Sequence, residues 1–162
     1  MSFCRKITDW YICIMLLVFP LFTGFRGYAA LTNSKFYFLL GISLIWLLAL
    51  AALSLYPKTA AEKPSLMKAD ILFLGAFVLI SVLSAILSPW FPETLLGAGR
   101  WDGLVTTLLY AAIYLGIRCF GEIKQHHLWC FGASVLICAV IGIGQLLGNN
   151  PLRLFPGTLS YH

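Results

Sequence analysis

Long apolar runs dominate the pattern of hydrophobic and polar positions along this chain. Five such runs cover residues 10–25, 36–56, 71–87, 104–120 and 128–147. A helix crosses a bilayer core of about 30 Å with about 20 apolar residues. The second and fifth runs meet this length without a charge, whereas the first contains Pro20 and the fourth has Arg118 in its last turn. The pattern predicts an all-α, polytopic membrane protein with about five transmembrane helices.

The composition supports a membrane environment. The chain is 60% hydrophobic and 10% charged, which excludes a disordered protein and argues against an ordinary water-soluble core. Most Trp residues and several Tyr residues lie near the ends of the apolar runs, as an interfacial aromatic belt requires, and Trp46 is the exception near the middle of a run. The connections are short, so we expect residues 1–162 to form a single transmembrane region.

The distribution of Lys and Arg predicts the orientation of the helices. If all five runs span, one side holds seven of these residues and the other four. The richer side includes the amino end, which the positive-inside rule places in the cytoplasm. If the first run does not span, every later assignment is reversed. An alternative is that the first thirty residues are a signal peptide cleaved near Ala29 and Ala30. Pro20 and Arg26 disfavour cleavage there and favour a retained first helix.

Cysteine, histidine and net charge point to no cofactor, metal or nucleic acid. The five cysteines include no CxxC pair, and several fall inside apolar runs, where Cys acts as a small hydrophobic residue. This argues against a membrane thiol oxidase. His126 and His127 are adjacent in a short connection and are interpreted as interfacial polar residues. The net charge of +5 is not concentrated in a basic cluster, so nucleic acid is not a predicted partner.

The segment from Ser88 to Gly103 contains the best candidate for chemistry. Arg100 stands at the head of the fourth run, beside Trp101 and Asp102. A guanidinium binds phosphate oxygens as a two-pronged donor and stays charged. Arg100 is therefore a predicted anion-binding residue, with Trp101 and Asp102 as local support and Asp102 as the expected N-cap of the fourth helix. The alternative is an Arg100–Asp102 interfacial anchor.

Arg26 is the second candidate for anion binding. It lies between Gly24 and Gly27, so the backbone can bend and let the side chain reach inward. The alternative is that Arg26 only ends the first transmembrane helix. The sequence identifies no catalytic residue.

Three short stretches resemble the O-antigen ligase and polymerase family. The first span and following turn match in Phe19-Pro20-Leu21-Phe22, Gly27-Tyr28 and Ser34-Lys35-Phe36. The head of the fourth run matches in Gly99-Arg100-Trp101-Asp102-Gly103-Leu104, followed by Tyr110. The end of the chain matches in Leu154-Phe155-Pro156-Gly157-Thr158-Leu159.

The resemblance implies a membrane glycosyltransferase. Members of that family transfer a glycan from an undecaprenyl pyrophosphate carrier to a sugar, lipid or protein acceptor on the outer face of the bacterial inner membrane. They use no metal, and outer arginines are thought to bind the pyrophosphate. By this resemblance Arg100 would bind the pyrophosphate of the lipid-linked donor, and Arg26 is the second candidate residue for that role.

The carboxyl end predicts that the chain is the amino-terminal portion of a longer protein. Residues 149–162 form the opening of an outward-facing connection, and the family's large outer loop would follow. These 162 residues alone are therefore expected to lack a complete active site. The alternative function is a non-catalytic membrane scaffold or a small transporter subunit.

Overall fold

The computed structural model describes residues 3–23, 31–55, 66–97 and 101–147. Within these ranges the regular structure is entirely α-helical. The helices are α1 (Phe3–Leu21), α2 (Leu31–Ser54), α3 (Lys68–Ile86), α4 (Phe91–Leu96), α5 (Leu104–Phe120) and α6 (Gln125–Leu146).

Three of these helices are long and apolar enough to cross a membrane. They are α2, α3 and α6, and α5 is a shorter apolar helix of 17 residues. Only 6% of the most apolar stretch of α3 and 11% of that of α6 is buried by protein, as expected of helices that face lipid. The described residues confirm the predicted all-helical fold, with three helices suited to a membrane. The count of five spans stays a prediction.

The described part of each predicted apolar run lies almost entirely on a helix, but the helix ends differ from the predicted ones. Helix α1 begins at Phe3, before the first run, and ends at Leu21, directly after Pro20. Proline lacks the amide hydrogen and its ring clashes with the preceding turn, which favours a helix end there. Helix α2 begins at Leu31 rather than at Phe36. The polar first turn of α2 is helical because hydrogen bonding, and not hydrophobicity, decides where a helix begins.

The chain divides into two compact units. The first contains residues 1–11 and 40–122, and the second contains residues 12–39 and 123–162. In the first unit α3, α4 and α5 pack against one another. Asp70 at the start of α3 contacts Arg118 at the end of α5, so these two helices run antiparallel.

A buried cluster around Trp46 joins α1 and α2 within the first unit. The Trp46 ring stacks on Tyr11 with a centroid distance of 4.0 Å, and its indole N–H donates to Oγ1 of Thr8 at 3.4 Å. The Tyr11 hydroxyl and Oγ of Ser43 share a hydrogen bond of 2.9 Å. All four side chains are buried. The cluster explains why a tryptophan lies in the middle of an apolar run, since its N–H is satisfied by a hydroxyl.

In the second unit aromatic contacts hold the end of α1 against α2. Phe38 stacks on Phe22 at 4.6 Å between ring centroids and also contacts Phe19. The Lys35 ammonium lies 5.6 Å from the centroid of the Phe19 ring and donates to the carbonyl of Pro20 at 3.4 Å. This carbonyl belongs to the last turn of α1, where a cation satisfies an otherwise unpaired acceptor.

Candidate functional site

The corner between α3 and α4 is organised by Ser88. Its Oγ accepts a hydrogen bond from the Trp90 backbone N–H at 3.2 Å and another from Oγ1 of Thr94 at 3.1 Å. A serine hydroxyl that binds a nearby backbone amide stabilises a tight turn. The turn lets the short helix α4 fold back against α3 and α5.

Two glycines bring the end of α4 into contact with the start of α5. Gly97 ends α4 with a left-handed φ of 81°, a conformation that favours glycine. A methyl group on Gly97 would collide with the Asp102 side chain, and one on Gly103 would lie 2.5 Å from the carbonyl oxygen of Leu95. The backbones at these positions therefore touch, and only glycine fits at either one.

Trp101 has an unusual backbone conformation in the same segment. Its φ is 59°, and a bulky residue in this region is strained. The Thr106 hydroxyl donates to the Trp101 carbonyl oxygen, which holds the strained residue from the first turn of α5. Strain of this kind costs about 1 to 3 kcal/mol and persists where the surroundings fix it, often near functional sites.

The expected capping role of Asp102 is wrong. The N-cap of α5 is Gly103, and no side chain caps the helix there. Asp102 lies one residue earlier and is exposed, because the close contact of Gly103 with α4 sets where the helix begins. Its carboxylate instead borders a hollow.

This hollow lies between the end of α3, α4 and the start of α5, and its volume is about 360 Å³. Most of its nine lining residues are small; four carry a hydroxyl group and one carries a carboxylate. The lining residues are Ser81, Ser84, Ala85, Thr94, Gly97, Asp102, Gly103, Leu104 and Thr107.

Two of the four predicted site residues belong to the part of the chain that the structure describes. Arg100 and Arg26 lie outside the described residues, whereas Trp101 and Asp102 are described. Sequence reasoning missed the hydroxyl groups that line the hollow. A signal for them was present, since Ser81 and Ser84 are spaced for one face of an otherwise apolar helix.

The hollow is suited to a polar, hydrogen-bonding ligand. The hydroxyl groups of Ser81, Thr94 and Thr107 already donate within the protein, so they offer acceptor lone pairs to a ligand, as the carboxylate does. These groups match sugar hydroxyls directly. A phosphate would be repelled by the Asp102 carboxylate unless a cation offsets that charge, and Arg100 is two residues away in the sequence.

A charged cluster lies at the opposite ends of α3 and α5. Arg118 Nε contacts Oδ2 of Asp70 at 3.0 Å, and the Tyr114 hydroxyl donates to Oδ1 at 3.5 Å. Asp70 also accepts from the Met67 backbone N–H at 3.2 Å. Arg118, the charge in the last turn of the fourth run, therefore has an acidic partner. The pair is partly exposed and joins two helices.

A third cluster, in the second unit, contains Cys13, His126 and His127. One potential metal-ligating atom from each residue lies within 4.8 Å of the others. The centroids of the two imidazole rings are 4.3 Å apart. Spacing could not reveal this group, because Cys13 is distant in sequence from the histidines.

Comparison with known proteins adds no relative. No family model matches the chain, and neither a curated protein nor a solved structure matches it.

Proposed function

We propose that this protein belongs to the machinery of a membrane glycan ligase or polymerase similar to O-antigen ligases. In this role it acts in a bacterial inner membrane with its amino end in the cytoplasm. It binds an undecaprenyl-pyrophosphate-linked glycan so that the glycan is transferred to a sugar, lipid or protein acceptor on the outer face. The hydroxyl-lined hollow beside Asp102, which follows Arg100 by two residues, is the observation that carries this proposal.

The hollow supports binding of the donor's polar head. Its hydroxyl groups on α3, α4 and α5 are suited to the first sugar of the glycan, and Arg100 supplies the cation for the pyrophosphate. Negative charge accumulates on the pyrophosphate as the glycosidic bond breaks, and preorganised cations stabilise such charge strongly in a water-poor site. Gly97 and Gly103, which precede and follow Arg100 in the sequence, hold the end of α4 against the start of α5.

The apolar helices support a lipid-linked substrate. Helices α3 and α6 leave most of their apolar surface uncovered by protein, and such surface is stable in contact with lipid tails. A polyprenyl carrier occupies the same environment. The donor can therefore reach the hollow by lateral diffusion in the bilayer, with its tail along α3 and its head between α4 and α5.

Substitution of Arg100 tests the proposal. The full-length protein is expressed in cells whose own chromosomal copy is deleted, and glycan attachment and the lipid-linked donor are both measured. We expect Arg100→Ala to abolish attachment and to cause the donor to accumulate. Arg100→Lys should retain partial activity, because a point charge replaces a two-pronged donor.

Arg5→Ala is the matched control, because Arg5 is an exposed arginine of α1 on the opposite predicted side of the membrane. This variant should transfer glycan normally. All variants must reach the membrane in equal amounts. Normal glycan attachment by an equally inserted Arg100→Ala variant would overturn the proposal and leave Arg100 as an interfacial anchor.

A further inference from the structure

We propose that Cys13, His126 and His127 form a zinc site in the second unit. The proposal is independent of glycan transfer and rests on the position of three ligand-bearing side chains. A thiolate with two imidazoles is a ligand set typical of Zn²⁺, whereas Mg²⁺ and Ca²⁺ prefer oxygen ligands.

The distances are close to those of a zinc site. Zinc lies about 2.1 Å from imidazole nitrogen and about 2.3 Å from thiolate sulfur, so tetrahedral ligand atoms are about 3.5 Å apart. The three candidate atoms all lie within 4.8 Å of one another. A movement of about 1 Å closes this difference. His126 is exposed, so its ring can rotate toward the other two ligands without disturbing a packed core.

Two helices position the ligands. Cys13 lies in the middle of α1, and the histidines are consecutive residues of the first turn of α6. The Lys124 backbone N–H donates to Nδ1 of His127 at 3.1 Å, and this bond orients the buried ring. Zinc binding at His127 breaks this hydrogen bond at either nitrogen. Zinc at Nδ1 takes the lone pair that accepts the bond, whereas zinc at Nε2 leaves the ring proton on Nδ1, which can then no longer accept. We therefore expect zinc to alter the first turn of α6.

The chemistry of the ligand set fits an open site. Three protein ligands leave the fourth tetrahedral position for water or a substrate group, as in catalytic zinc sites rather than closed structural ones. In the predicted orientation the start of α6 faces the cytoplasm, where thiols remain reduced and able to bind metal.

Cobalt is the probe that tests this site. Tag-free full-length protein in detergent micelles is stripped of metal and titrated with Co²⁺. We expect the near-ultraviolet absorption of a thiolate–cobalt bond and the visible bands of a tetrahedral ion, both removed by added Zn²⁺. Cys13→Ser should remove the thiolate band. His126→Gln should weaken Co²⁺ binding about tenfold or more. Even the loss of a residue that only hydrogen-bonds a metal ligand has an effect of this size.

Cys138→Ser is the matched control, because Cys138 is an exposed cysteine of α6 and should bind Co²⁺ as the parent protein does. His126→Gln keeps the test decisive if Cys13→Ser fails to insert, since the exposed His126 side chain is not needed for packing. The proposal is overturned if the parent protein shows no thiolate band, or if the band persists in Cys13→Ser. It is equally overturned if His126→Gln binds Co²⁺ with parental affinity.

Discussion

At the residue scale, Gly116 of α5 lies against the indole ring of Trp46 in the first unit. A methyl group on Gly116 would be 2.5 Å from Cη2 of Trp46. The ring cannot easily move away from α5, because Trp46 is stacked on Tyr11 and hydrogen-bonded to Thr8. Close helix contact at a glycine is a usual source of stability in membranes, where packing rather than the hydrophobic effect holds helices together.

Gly116→Ala is expected to destabilise the protein by about 1 to 3 kcal/mol, the usual cost of overpacking. Thermal unfolding in detergent measures this as a lower Tm. Gly75→Ala is the matched control, because a methyl group on Gly75 of α3 meets no atom within 4 Å. It should be neutral or slightly stabilising, since alanine favours a helix. Equal melting of Gly116→Ala and the parent protein would contradict the contact.

The second residue-scale prediction concerns Gly97. In Gly97→Ala the alanine must adopt a left-handed φ of 81°, and its methyl group collides with the Asp102 side chain. The left-handed backbone conformation alone costs about 1 to 2 kcal/mol. We expect the hollow to be distorted, so glycan attachment should fall at least tenfold while membrane insertion persists. Gly41→Ala, at a glycine with open space around it, is the control for both measurements. A fully active Gly97→Ala variant would show that glycan transfer does not depend on the shape of the hollow.

At the element scale, the ion pair between Asp70 and Arg118 joins the start of α3 to the end of α5. The two side chains are 19% and 36% exposed, so the pair is neither fully buried nor freely solvated. An exposed pair contributes about 0 to 1 kcal/mol, whereas breaking a buried one costs about 3 to 5 kcal/mol. The pair therefore helps to fix the register of α3 against α5, and its contribution to stability lies between those of an exposed and a buried pair.

A double-mutant cycle measures that energy. Asp70→Asn and Arg118→Gln are made singly and together, and unfolding is followed in detergent. We expect a coupling free energy of about 1 kcal/mol, within the range found for contacting residues. The coupling should decrease in high salt, since the pair is partly exposed to solvent. Strict additivity of the two substitutions would show that the contact does not stabilise the packing of α3 on α5.

The helices themselves could be predicted from the sequence, whereas their ends and partners could not. Apolar runs of membrane length located α2, α3, α5 and α6 because burial in lipid requires continuous hydrophobicity. Helix α4 has only six residues, which is too short for a periodic pattern. The N-cap at Gly103 could not be predicted because it depends on a backbone contact with Leu95 of α4, a helix that the sequence pattern did not reveal.

At the scale of the whole molecule, the candidate site illustrates the same limit. Arg100, Trp101 and Asp102 could be singled out because charged residues are rare in so apolar a chain, and two of them flank a tryptophan here. The hydroxyl groups of the hollow come from three helices, and ordinary serines and threonines reveal nothing until the helices are packed. The Cys13, His126 and His127 cluster depends on tertiary structure in the same way.

The topology of the whole chain gives the last prediction. Glu93 and Glu122 are exposed and lie beyond opposite ends of the antiparallel pair α3 and α5. In a cysteine-free background, a single cysteine at position 93 should react with a membrane-impermeant maleimide in intact cells. A cysteine at position 122 should react only after the membrane is permeabilised.

The two labelling experiments serve as controls for each other, because each uses the same reagent and the same protein. The reverse result would show either that the first apolar run does not span or that the amino end faces outward. Equal labelling of both positions in intact cells would exclude a membrane crossing by α5.

The sparse burial of α3 has a consequence for the evolution of this protein. Side chains that meet lipid are selected for apolar character rather than for an exact shape, so exchanges among Leu, Ile, Val and Phe are nearly neutral there. The lipid-facing apolar residues of α3 should therefore drift rapidly while their hydropathy is retained. The tightly packed positions, above all Trp46 and Gly116, should change slowly and in concert. Homologues will share the spacing of these few constrained residues more clearly than overall sequence identity.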